Sequence, residues 1–123
     1  MIKRIDSYFY HEDERGSLKG LVNFGTWKEM NMITTVSGTT RGNHFHRQTT
    51  ELFIILDGKI KVQCQKVNSD QLEGEVVEEV FEKGDVFLIE PMTMHTFDVL
   101  EDARWINALD LPIDPKSPDL HRL

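Results

Sequence analysis

The chain has 123 residues, 28% of them charged and 39% apolar, with a formal net charge of −7. That length holds one domain of 1–123, and the acidic balance leaves no basic face for nucleic acid. No apolar run is long enough to span a membrane, the start is not a secretory signal, and the lone Cys64 excludes an intrachain disulfide framework, so the chain reads as cytoplasmic.

Short apolar stretches separated by Gly, Asp and Asn turns run from Leu18 to Leu109, a spacing that predicts an all-β domain. The predicted strands, in order, are Leu18–Phe24, Met30–Val36, Asn43–Phe45, Glu51–Leu56, Lys59–Val67, Val76–Glu82, Asp85–Glu90, His95–Leu100 and Arg104–Leu109. Thr26–Met30 is a candidate for one helical turn. Asp57-Gly58 is the strongest hairpin signal. A two-residue turn there pairs Ile55 with Ile60, Phe53 with Val62 and Glu51 with Cys64. One face then carries Glu51, Phe53, Ile55, Ile60, Val62 and Cys64 and reads as a barrel interior. The other carries Leu52, Ile54 and Leu56. An outward apolar strand calls for a cover, and this set predicts a homodimer. Asn68–Gly74 reads as a polar loop and Lys83-Gly84-Asp85 as a turn. The tail 111–123 holds Pro112, Pro115 and Pro118, so it is expected to run extended over the surface or a partner rather than join the sheet.

Chemistry concentrates in residues 38–58. Gly38, His44, His46, Glu51 and Gly58 fit G-x5-H-x-H-x4-E-x6-G. Residues i and i+2 of a strand share a face, so His44 and His46 point one way and Phe45 the other. Two imidazoles with a carboxylate suit a divalent transition metal. Cys64 reads as a small buried hydrophobe.

This segment resembles the first motif of the cupins, small jelly-roll barrels (double-stranded β-helices). Gly84 to His95 resembles their second motif, with Thr93 in place of the usual Gly and His95 one residue nearer Pro91 than usual. The resemblance implies a barrel core over about 18–109 and a metal set of His44, His46, Glu51 and His95. Four protein ligands leave room for water or substrate. This donor set accepts Zn, Mn, Fe, Ni or Co and does not select among them.

Two further segments resemble the sugar-nucleotide branch. Asp13-Glu14-Arg15-Gly16-Ser17-Leu18 is similar to the D-x-R-G-x-L segment of dTDP-4-keto-6-deoxyglucose 3,4-ketoisomerases. Arg41-Gly42-Asn43-His44-Phe45-His46 is similar to their R-G-x-H-x-H and to the cupin domain of capsular-polysaccharide sugar epimerases. The resemblance implies catalytic roles for His44 and His46, with His44 the base that removes a proton next to a carbonyl. It implies substrate binding by Arg15 and Arg41, whose planar forks suit a diphosphate. No Tyr matches the general acid of the related 3,5-epimerases. The function this resemblance implies is an isomerase or epimerase of a keto-sugar, with a nucleotide-linked sugar as the expected substrate. The alternatives are a metal-dependent oxygenase or lyase and a non-catalytic cupin that binds a sugar or other small ligand.

Overall fold

Nine strands account for all the regular secondary structure of the computed structural model, which describes Met1–Leu123. They are β1 (Ile2–Ile5), β2 (Phe9–Asp13), β3 (Gly16–Gly20), β4 (Glu29–Thr35), β5 (Thr40–His44), β6 (Glu51–Asn68), β7 (Gln71–Glu82), β8 (Val86–Ile89) and β9 (Thr93–Leu109). Seven form one antiparallel sheet in the order β1-β8-β6-β9-β4, with β5 also on β9 and β7 also on β6. β2 and β3 pair only with each other, as a separate hairpin. No helix is long and apolar enough to cross a membrane.

The two long strands build the barrel. β6 and β9 run antiparallel from Glu51 opposite Leu109 to Lys66 opposite Thr93. Each therefore spans what the sequence divides into two strands. The predicted hairpin at Asp57-Gly58 does not form: the chain continues straight through it, and register shifts between Ile55 and Ile60 mark a bulge. The inward set is nonetheless the predicted one, because Phe53, Ile55, Ile60, Val62 and Cys64 are all buried. A regular strand would keep inward residues all odd or all even. The bulge adds the residue that switches odd to even, as a turn would have done. Gly58 sits in it at φ +93.

The core is aromatic. Phe53 stacks on Phe87 at 4.9 Å between ring centroids, and Phe97 meets Trp105 edge-on at 4.9 Å. Trp105 is fully buried, so its ring serves the packing of this core. Outside the barrel, Leu52 and Ile54 pack with Val86 and Ala108 beneath Leu21, Val22 and Trp27. Their cover thus comes from the same chain. Leu21 and Val22 do this from a loop, since the predicted strand Leu18–Phe24 ends at Gly20. Thr26–Met30 is not helical. The loop predicted at Asn68–Gly74 shrinks to a turn at Ser69 and Asp70, both with positive φ, and strand pairing resumes at Gln71.

Residues 111–123 join no strand, as expected. They fold back so that Phe45 and His121 exchange backbone hydrogen bonds of 3.0 and 2.9 Å.

Candidate functional site

Three strands and one connection bring the four expected residues together. His44 ends β5, His46 follows it, Glu51 opens β6 and His95 lies near the start of β9. One donor atom from each falls within 4.8 Å of all the others. The rings of His44 and His95 are 4.6 Å apart, those of His44 and His46 5.1 Å, and those of His46 and His95 5.7 Å. The short second-motif loop still delivers His95. Met92 takes φ +59, which tightens the loop, and its amide bonds the His46 carbonyl at 2.7 Å.

The ring nitrogens are oriented from behind. His95 Nδ1 donates to the Thr93 carbonyl at 2.9 Å, and His46 Nδ1 donates to the carbonyl of Asp119. A carbonyl oxygen only accepts, so both Nε2 atoms face the cluster centre. His46 Nε2 lies 2.6 Å and His95 Nε2 3.6 Å from Glu51 Oε1. These three atoms are buried, and beyond their contacts with one another none has a hydrogen-bond partner. Buried polar atoms are normally satisfied. Three convergent lone-pair donors of this kind fit a cation, and the donor set fits a divalent transition metal.

Charge follows from burial and neighbours. His44 is pulled down to about 4, first by burial and then by the adjoining His95 and His46, so it is neutral at pH 7. Burial also lowers His95. For His46 burial opposes charge, but Glu51 and the Asp119 carbonyl outweigh it and raise the ring. Burial would raise Glu51, yet His46, His95 and Asn107 hold it below its usual range. The site therefore carries one carboxylate among imidazoles.

His44 and Glu51 open onto a pocket of about 110 Å³ lined also by Arg41, Phe97, Trp105 and Asn107. Arg41 thus joins the site. Arg15 does not share that pocket: it lies at the exposed tip of the β2–β3 hairpin and pairs with Asp13 at 2.7 Å. Cys64 is opposite His95 in the ladder, and burial pushes its thiol up to about 12, so it is an inert neighbour. Two participants escape the sequence reading. Asn107 Nδ2 bonds Glu51 Oε2 at 2.9 Å, and Asp119 anchors His46 from the tail. Asn107 shares the inward face of Trp105 and Leu109, and a polar residue there is a usable signal. Nothing local marks Asp119.

Barrel and cluster together define a cupin. The chain belongs to the polysaccharide biosynthesis C-terminal domain family, whose profile matches residues 11–107. No curated protein sequence matches it. Among solved structures it is similar to the capsular polysaccharide assembling protein CapF of Staphylococcus aureus, with 25% identity and a TM-score of 0.71. That match covers 94% of this chain but 34% of CapF, so the chain spans about a third of that protein's length. It also resembles QdtA, a sugar 3,4-ketoisomerase of Thermoanaerobacterium thermosaccharolyticum solved with TDP, at 20% identity and TM-score 0.74, covering 99% of this chain and 88% of that one. A dTDP-4-dehydrorhamnose 3,5-epimerase of Elizabethkingia anophelis superposes with TM-score 0.82 at 18% identity, covering 99% and 74%. These last two likenesses establish shared architecture.

Proposed function

We propose that the chain is an isomerase or epimerase of a keto-sugar carried on a nucleoside diphosphate. One observation carries the reading: His44, neutral at pH 7, faces the same pocket as Arg41 beside a carboxylate-imidazole cluster. A neutral imidazole can accept a proton, and an Arg beside it suits a phosphate or sugar oxygen. His44 removes the proton from the carbon next to the ketone, and the electron pair moves to the ketone oxygen. Returning the proton to the other face of that carbon gives the epimer. Returning it to the former carbonyl carbon, while the neighbouring hydroxyl passes its proton to the oxyanion and becomes the new ketone, gives the ketoisomer. His46 is the second acid/base group or a ligand. A divalent cation held by His46, Glu51 and His95, with His44 within reach as a fourth ligand, would stabilise the developing oxyanion.

The test is incubation with dTDP-4-keto-6-deoxyglucose in D2O. The expected result is deuterium at the carbon beside the ketone, lost in His44→Ala. Absence of exchange with a panel of 4-keto sugar nucleotides overturns the proposal. Elemental analysis of the same proteins separates the roles of His44: a base leaves metal content unchanged in His44→Ala, whereas a ligand lowers it.

A second reading has its own support. The three unpartnered atoms come from two histidines and one carboxylate, the triad used by non-haem iron oxygenases. Oxygen uptake by the iron-loaded protein with a small organic acid would favour it over the first.

We further propose that residues 1–123 act as one cupin domain, tail included, and that it pairs as a homodimer. Exposed Tyr8, Phe9, Tyr10 and Leu18 on and beside the β2–β3 hairpin, with Met30 and Met32 on edge strand β4, support pairing. A monomer mass by sedimentation equilibrium at micromolar concentration ends that part.

A further inference from the structure

The two ligand-type histidines with anchored Nδ1 atoms are held very differently. His95 leans on Thr93, two residues away in its own strand. His46 leans on Asp119, 73 residues away in the tail and beyond the residues that match the family. A hydrogen bond to a flexible tail would orient nothing, so the tail must itself be fixed at that point.

It is. The Asp119 carboxylate accepts the amides of Arg47, Gln48 and Thr49 at 2.8, 2.9 and 3.0 Å and the Thr49 hydroxyl at 2.9 Å. His121 Nε2 adds a contact at 2.9 Å. Three consecutive amides on one carboxylate make a set of charge-assisted bonds with little freedom. The Phe45–His121 backbone pair closes the other side. The segment 45–49 that carries His46 is therefore clamped by Asp119 through its side chain, while the Asp119 carbonyl accepts the hydrogen bond from His46 Nδ1–H. Farther along, the Ile113 amide bonds Glu29 at 3.0 Å, and prolines 112, 115 and 118 limit what the strap can do between anchors. Strap and barrel flank a small cavity of about 50 Å³ with His46 in its wall.

We propose that Asp119 is a positioning residue for His46, so that the tail strap fixes the imidazole with Nδ1–H outward and Nε2 toward Glu51. The inference rests on His46 acting at the site proposed above, and it goes beyond that reading by making residues 111–123 part of the functional unit. Without the clamp, His46 can rotate or exchange tautomers, and the cluster loses one of its three convergent atoms.

The experiment reads the proton directly. In ¹H–¹⁵N spectra of the full chain, His46 and His95 should each show an imidazole Nδ1–H protected from exchange with water, whether or not metal is bound. In Asp119→Ala the His46 signal should vanish or exchange at least about tenfold faster, while the His95 signal persists and certifies the fold. Asp119→Asn, which retains a side-chain acceptor for the 47–49 amides, should recover the signal. Titration with Co²⁺ should show about 10–100-fold weaker binding in Asp119→Ala, as for other outer partners of metal-ligating histidines. A protected His46 proton in Asp119→Ala, or none in the parent, overturns the proposal. So does unchanged Co²⁺ affinity after the proton is lost. If the parent itself takes no Co²⁺, the metal reading fails, and the proton signal alone still decides the role of Asp119.

Discussion

Asn107 divides the two oxygens of Glu51 between structure and chemistry. Its Nδ2 donates to Oε2 at 2.9 Å, which leaves Oε1 to face His46 and His95. Asn107 is itself oriented by Asn31, whose amide donates to Oδ1 at 3.0 Å, and Asn31 in turn bonds Glu29. The carboxylate thus ends a polar chain that reaches the tail through the Glu29–Ile113 contact.

Asn107→Leu should therefore act twice. Glu51 is 5% exposed, and a buried oxygen left without its donor costs about 1–3 kcal/mol. The freed carboxylate should also bind metal more weakly, by about 10–100-fold. Urea unfolding of the metal-free chain and a Co²⁺ titration check the two effects separately. No change in either would mean that Asn107 does not orient Glu51.

Acid should loosen the metal-free protein through His44. Its folded pKa, about 4, lies below the ordinary histidine value of 6.5. The unfolded chain therefore takes the proton first, and stability falls as pH drops from 6.5 through 4. His95 shifts in the same direction and His46 in the opposite one, so the His44 part must be isolated. His44→Gln should lose less stability than the parent between pH 7 and 4.5 in urea unfolding. An equal or steeper loss would contradict the depressed value.

Metal should stabilise the fold if the three unpartnered atoms bind it. A divalent cation at 100 times its Kd adds about 2.7 kcal/mol to unfolding. The melting temperature should rise with Co²⁺ or Zn²⁺ and return with a chelator. Glu51→Gln should abolish most of the rise, because it replaces the only carboxylate of the cluster. A rise of equal size in that variant would place the ion elsewhere.

The cluster was legible in the sequence because its geometry is nearly local. His44 and His46 share a strand face by parity, and Glu51 and His95 stand at fixed motif spacings. What supports the cluster was less so. Asn107 and Asp119 act across 56 and 73 residues, and only Asn107, polar on an apolar face, leaves a local trace. Strands β1 and β2 were missed for a related reason. Ile2–Ile5 is four residues long and holds its place by pairing with β8, while Phe9–Asp13 is mostly polar and pairs only with β3. Of the outward apolar set Leu52, Ile54 and Leu56, the first two are covered by Leu21, Val22 and Trp27 of the same chain, so they give no ground for the expected dimer, and periodicity alone does not identify that cover.

Asp57-Gly58 shows how one dipeptide supports two structures. A tight hairpin turn and a glycine bulge can each use Gly58 at positive φ, and both switch the inward parity between Ile55 and Ile60. Only the partner strand distinguishes them, and β9 runs alongside throughout. This gives a discriminating pair of substitutions. Gly58 and Gly74 both have positive φ, +93 and +80. Alanine at Gly74 meets nothing within 4 Å, so only the left-handed backbone costs, about 1–2 kcal/mol. Alanine at Gly58 would also press on backbone, with its Cβ 2.7 Å from Ala103 Cα. Backbone in a paired strand cannot swing aside as a side chain can, so overpacking adds about 1–3 kcal/mol. Gly58→Ala should unfold at clearly lower urea than Gly74→Ala. Equal midpoints would mean that residue 58 lies in an open turn, and the continuous β6 described above would be wrong.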